Sequence, residues 1–295
     1  MTPAEALCVA VDEADGAKEQ REQVRFDPTA AVAVVGAGGK KTTLYTLAEQ
    51  LERAVVTASV RIPIFDSAVS RVAVTESPLE ALRSAEPADF PLGLVPEREG
   101  DSRYLGYDTV AVDRIIEAHD GPVLIKADGA RMREFKAPND REPQIPSATD
   151  VVVPIASAHV VGEPLTDEVV HRPERVAAVA ADTGLDIEVG DVIEPVHVAA
   201  VLASEQGGLK GAPEGAAVVP LVNKVDDADD EAVARDIASA FYEQFEGLER
   251  GGEREREQDD GDAGITVDLD ANGRRALVPY VVLARMAEGV VVDRV

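Results

Sequence analysis

One stretch, VAVVGAGGKKTTLYTLAEQL (residues 32–51), constrains this chain more than any other. The apolar run at 30–35, bounded by polar residues and glycine, has the length of a buried strand. Leu44, Leu47, Ala48 and Leu51 then recur at helical spacing, and residues 54–57 form a second apolar run. Strand, glycine loop, helix, strand is a βαβ unit, which requires a parallel sheet with a right-handed crossover.

The loop itself has the chemistry of an anion site. The first turn of a helix carries N–H groups with no intrahelical acceptor, at the positive end of the helix dipole. Gly36, Ala37, Gly38 and Gly39 let the backbone curl around a phosphate. Lys40 or Lys41 brings the charge, and Thr42 or Thr43 a hydroxyl for Mg²⁺. The pattern G-x-x-x-x-G-K-[ST] is not met, because counting back from either lysine reaches Val34 or Val35. Lys41–Thr42 is the preferred working pair and Lys40 the alternative. A glycine turn that only packs helix on sheet is the competing reading.

Two more strand ends bear on this loop, since ligands of such sheets bind beyond the carboxyl ends of the strands. Asp128 closes VLIKAD and is expected to support Mg²⁺ together with Thr42, with a turn cap as the alternative. Lys41 and Asp128 are thus the expected catalytic pair. Asn223, Lys224 and Asp226 close another strand in NKVD, which matches N-K-x-D, a guanine-reading pattern. GTP is therefore preferred to ATP.

The rest of the chain continues the theme. Helical periodicity marks 110–119, 173–182, 194–204 and 229–245, and apolar runs mark strands at 121–130, 149–157 and 216–226. Residues 3–20 read as a leading helix or arm. Residues 249–264, ERGGEREREQDDGDAG, have no periodicity and read as an acidic flexible insertion. Asn272-Gly273 between ITVDLD and LVPYVVL signals a hairpin, and GVVVDRV a last strand. The expected division is an arm at 1–26, an αβα domain at 27–247, the insertion at 248–264, and a β-rich C-terminal appendage at 265–295 completing the sheet.

Composition excludes several classes. The formal net charge is −27, from 29 Lys and Arg against 56 Asp and Glu. A surface so acidic argues against nucleic acid and anionic membranes as partners. It suits a salt-rich cytoplasm, where screening tames self-repulsion. Cys8 is the only cysteine, so no intramolecular disulfide and no cysteine metal cage can form. The four histidines (119, 159, 171 and 197) show no HxH or HExxH spacing, so no zinc site is expected. No apolar run has a membrane span's length, and the acidic start lacks the basic opening of a signal peptide. The expectation is a soluble cytoplasmic protein.

Taken in order, these blocks resemble the YqeC family. VVGAGGKKTT is similar to its V-G-A-G-G-K-[ST]-[ST] motif. VLIKADGARMREFKAP (123–138) resembles its V-E-A-D-G-A…K-A-P block, and GEPLTDEVVHRPERVAAV (162–179) its G-x-P-L…V-H-R-P-E segment. PLVNKVD resembles its L-N-K-x-D, and the likeness runs over about residues 28–245. The resemblance implies an α/β, three-layer αβα fold of the P-loop NTPase type with a mostly parallel sheet. It also implies an accessory role in maturing selenium-dependent molybdenum hydroxylases. Partners would be a nucleotide and a molybdenum hydroxylase or its pterin cofactor.

This chain departs from the family pattern in three places. Lys126 stands for the family's glutamate, Lys40-Lys41 adds a lysine, and Arg61 replaces a lysine in TASVRIPIFD. Arg131, Arg133, Lys136, His171 and Arg172 are further polar groups in family-like blocks, suited to a second anion or to the γ-phosphate. The expected function is Mg²⁺-dependent binding and hydrolysis of a nucleoside triphosphate, GTP or ATP. The alternatives are a nucleotide-gated binding chaperone without significant turnover and a small-molecule kinase.

Overall fold

The computed structural model describes residues 1–12, 23–246, 264–269 and 275–295. Its centre is a twelve-stranded sheet, numbered here in chain order. The strands are β1 (Ala31–Gly36), β2 (Val55–Ala58), β3 (Arg71–Val74), β4 (Leu92–Val95), β5 (Val123–Lys126) and β6 (Val151–Ser157). They continue as β7 (Ala217–Val218), β8 (Leu221–Asn223), β9 (Ile265–Asp268), β10 (Arg275–Val278), β11 (Val282–Arg285) and β12 (Val290–Arg294). The order is β9-β10-β7-β6-β1-β5-β2-β4-β3, with β8 pairing β6 and β11, and β12 pairing β11. All pairs are parallel except β9–β10 and β11–β12.

Alternation along the strands splits the core into two layers. Ala31, Ala33 and Val35 of β1 face one cluster with Val112, Ile115, Val176, Val198, Ile237 and Phe241. Val32 and Val34 face the other with Leu7, Leu44, Leu47 and Leu51. Helices α4 (Thr109–Ala118), α5 (Pro173–Asp182), α6 (Pro195–Ala203) and α7 (Ala228–Glu246) therefore cover one side. Helices α1 (Pro3–Leu7) and α2 (Lys40–Gln50) cover the other, and the short α3 (Pro78–Arg83) completes the set. This is an α/β sandwich with helices on both faces of a mostly parallel sheet.

Several expectations change in the structure. Strands β1 and β2 are not neighbours, because β5 inserts between them and pairs with both. The leading helix stops at Leu7, and Val9–Asp12 instead pairs antiparallel with Gln23–Phe26. Its start is fixed by a capping box, in which Glu5 N–H donates to Thr2 Oγ1 and Thr2 N–H to Glu5 Oε2. The run at 277–283 is two strands, since Pro279 has no N–H for a ladder. The C-terminal strands β9 to β12 are part of the main sheet. β3 and β4, in a region where no element was expected, build its far edge. Residues 248–263 of the insertion expected at 248–264, and the Asn272-Gly273 turn, lie outside the described residues. Among the described residues, no helix is long and apolar enough to cross a membrane.

Candidate functional site

The chain reverses its direction of travel across the sheet at β1. Elements up to β5 lie to one side of it, and β6 opens the other. The crevice at such a switch point, beyond the carboxyl ends of the strands, is where ligands bind in open α/β sheets. The glycine loop, Asp128 after β5, Ser157 at the end of β6 and Asn223 at the end of β8 all arrive there.

The loop is shaped by its glycines. Gly38 and Gly39 have φ of +89° and +144°, which L side chains rarely adopt. A Cβ on Gly38 would meet Ser157 N at 2.7 Å and Glu134 O at 2.8 Å, and one on Gly39 would strike the Asn223 amide. Helix α2 begins at Lys40 with Gly39 as its cap, so the amides of Lys40, Lys41 and Thr42 lie in a turn without intrahelical acceptors. The earlier amides are taken by the protein. Gly36 N–H donates to Asp128 Oδ2 (2.9 Å), Ala37 N–H to Ile155 O (2.8 Å) and Gly38 N–H to Arg133 O (3.0 Å).

The lysine turned into the crevice is Lys40, not the preferred Lys41. Its ammonium lies 2.8 Å from Asp128 Oδ1 and donates to Gly36 O. Lys41 is half-buried one position further round the helix and makes no ion pair among the described residues. Thr43 spends its hydroxyl on Gly39 O at 3.2 Å, which leaves Thr42 as the uncommitted hydroxyl.

Asp128 is the hub, with 1% of its surface exposed. Lys136 Nζ reaches its Oδ2 at 3.0 Å and Glu142 Oε2 at 2.8 Å, and Arg172 Nη1 reaches the same Glu142 oxygen at 2.7 Å. Lys126 donates to the carbonyls of Asp128 (2.7 Å) and Arg61 (2.8 Å). Four cations thus face two carboxylates in a buried space. Burial works against the Asp128 charge, but Lys40 and Lys136 outweigh it and hold the carboxyl below its usual range. The surplus of cations shows in the lysines. Burial and then the repulsion of Lys40 push Lys126 down to about 8. Burial, then Arg172 and Lys136, push His171 down to about 4, so its ring is neutral at pH 7.

The NKVD residues have other work. Asn223 Nδ2 donates to Gly38 O (2.8 Å) and its Oδ1 accepts from Met286 N–H (3.0 Å), so this amide is a strut between the loop and the C-terminal strands. Lys224 pairs with Glu134 (2.7 Å) and Asp226 lies 3.3 Å from His159. Each of the three is thus engaged by protein groups in this structure. Asn223→Ala strands the Gly38 carbonyl and the Met286 amide, each costing about 1–3 kcal/mol if left unmet. Its denaturant midpoint is expected to fall, and Asn223→Asp is expected to fare no better, because a carboxylate repels the Gly38 carbonyl.

A magnesium ion fits these residues only in part. The Thr42 hydroxyl suits it, but each Asp128 oxygen already lies against an ammonium group, Lys40 on Oδ1 and Lys136 on Oδ2. Arg61 forms a two-pronged surface pair with Glu99 (2.7 and 2.9 Å), away from any phosphate role. Arg131 and Arg133 lie on the turn that covers the loop, where Arg131 and Met132 hold φ of 47° and 61° and Met132 is 86% exposed. A cavity of about 20 Å³, lined by Gly36, Asp128, Phe135 and Lys136 among others, has room for a single water.

Fold and site together define an α/β protein with a lysine-rich, glycine-looped crevice at the switch point of its sheet. The family model described as "YqeC protein" matches residues 32–174. An uncharacterized YqeC protein of Escherichia coli (strain K12) is 26% identical over 198 residues, covering 65% of this chain and 75% of that protein. Both matches mark the chain as similar to the YqeC family over this region. No solved structure matches it.

Proposed function

We propose that the crevice binds a nucleoside triphosphate through its polyphosphate, as a P-loop-type NTPase-like domain acting as an accessory protein. One observation carries this reading. The chain has seven lysines, and five of them (Lys40, Lys41, Lys126, Lys136 and Lys224) gather around one loop of a protein with a net charge of −27. Buried ammonium groups are costly unless paired, and this set exceeds its carboxylates, so a polyanion is the natural complement.

In this reading, Asp128 occupies the anion cage of Lys40, Lys136 and the Gly36 amide until the ligand arrives. Phosphate oxygens then take Lys40 and the first-turn amides of α2. The Gly38 amide becomes available once the Ala130–Glu134 turn withdraws its Arg133 carbonyl. Mg²⁺ accompanies the nucleotide, with Thr42 at hand for it. Phosphoryl transfer needs positioning and charge neutralisation above all, and lysines and loop amides supply both. GTP and ATP are expected to bind comparably, because Asn223 is spent on the loop. The accessory role toward a molybdenum hydroxylase rests on the family resemblance. Phosphate release from Mg-GTP and Mg-ATP, beside pull-down of such a hydroxylase, separates a hydrolase from a binding chaperone.

The titration of Lys126 gives a pH signature. Below about 8 its ammonium adds to the attraction for phosphate, and above that value the charge is lost. Bound phosphate favours the protonated form, so affinity should be level at lower pH and fall as pH rises past 8. In Lys126→Met, affinity at pH 7 should be lower and the fall absent. Titration calorimetry at pH 6.5, 7.5, 8.5 and 9.5 measures both.

A further inference from the structure

His159, Asp226 and Asp230 converge from three segments at the crevice rim. His159 follows β6 by two residues, Asp226 follows β8 by three, and Asp230 lies in the first turn of α7. Their donor atoms all lie within 4.8 Å of one another. We propose that this triad binds a divalent first-row transition ion, with the His159 imidazole and the two carboxylates as its three protein ligands.

Three features carry the proposal. His159 Nε2 lies 3.3 Å from both Asp226 Oδ2 and Asp230 Oδ2. A charge-assisted hydrogen bond closes to about 2.7–2.9 Å, and one imidazole N–H can serve only one carboxylate well. Two ligands held about 2.1 Å from one metal are separated by about 3.0–3.4 Å, which matches both spacings. Second, the main cap of α7 is Asp227, its Oδ1 accepting from the amides of Asp229 (2.9 Å) and Asp230 (3.0 Å). Asp230 Oδ2 accepts the Asp226 N–H (3.1 Å), which holds the two aspartates together and leaves that oxygen further lone-pair capacity. Third, the side chains are partly exposed (39%, 55% and 23%), so an ion could enter and keep open positions for water or an oxygen ligand.

One nitrogen and two carboxylates suit Zn²⁺ or Mn²⁺ better than Mg²⁺, which prefers oxygen. Three protein ligands with open positions are the arrangement of a reactive rather than a purely structural ion. Ser157, against the phosphate loop, is only two residues from His159, so the ion would sit on the rim of the same crevice. The triad goes beyond the nucleotide reading and does not depend on it.

The test is calorimetric titration of the full chain with Zn²⁺ and no nucleotide, in 1 M KCl so that diffuse binding to the acidic surface is screened. One ion per chain is expected, with at least a thirtyfold loss of affinity in His159→Ala and in Asp226→Asn. Equal unfolding midpoints of all three chains in EDTA confirm that the variants fold. Retention of wild-type affinity by His159→Ala overturns the proposal. So does wild-type binding that is only weak and multiple.

Discussion

Lys40→Met is expected to abolish the stabilisation that a nucleoside triphosphate gives the folded chain, while Lys41→Met keeps most of it. The two lysines are adjacent in sequence, yet among the described residues it is Lys40 that pairs with Asp128, at 2.8 Å, while Lys41 makes no ion pair. A hydrogen bond to a charged group contributes about 1.5–3 kcal/mol, and an ammonium shared by two phosphate groups makes more than one. The loss should reach at least about a hundredfold in affinity, or roughly 3 kcal/mol. At a ligand concentration a hundred times the dissociation constant, wild type gains about 2.7 kcal/mol of apparent stability and the variant almost none. The ligand-free fold should suffer less, because Asp128 keeps Lys136 and the Gly36 amide. Unfolding midpoints across a nucleotide series, with and without Mg²⁺, separate the two effects. Equal losses in the two variants would place the binding charge elsewhere.

The second large effect falls on Asp128. Asp128→Ala leaves Lys40 without its carboxylate and Lys136 with only Glu142. Removing one partner from a buried pair costs about 3–5 kcal/mol. For a chain of this size the midpoint should fall by roughly 10 °C. The emptied cage then lacks an anion, so formate at about 0.1 M, a rough dose chosen as a small carboxylate mimic, should restore part of that loss and leave wild type unmoved. The acid limb tests the same contact. The Asp128 carboxyl is held below its unfolded value, so its contribution is complete above that value. It is lost as pH falls through the folded pKa, and there the gap between wild type and variant should close. An undiminished midpoint in Asp128→Ala would mean that the network does not hold the carboxyl ends of the central strands.

Much of the frame could be read along the chain, because its signals are local. The buried runs at 31–36, 123–126 and 151–157 are strands, and the spacing of Leu44, Leu47, Ala48 and Leu51 is a helix. Pro173 and Pro195 begin α5 and α6, where a missing N–H is harmless. Strand order was not readable, since nothing local tells β5 to enter between β1 and β2. The site was readable by residue but not by role. Gly36, Gly38, Gly39, Asp128 and Asn223 meet where the sequence placed them, whereas the choice between Lys40 and Lys41 depends on where α2 starts. The motif around Asn223 records residue types and not partners, so its contacts with Gly38 and Met286 were not readable from it. Glu142, 14 residues beyond Asp128, drew no attention, and only the fold shows Lys136 and Arg172 closing on it. The same holds for His159, whose histidine spacing carries no metal pattern.

The central claim, that this crevice holds a polyphosphate, is tested most directly by titration calorimetry of nucleoside triphosphate with Mg²⁺ into the wild-type chain at pH 7. The account predicts one site per chain, with the affinity falling steeply from the triphosphate to the nucleoside. No heat and no gain in unfolding temperature at millimolar triphosphate, or equal binding of the bare nucleoside, would contradict it.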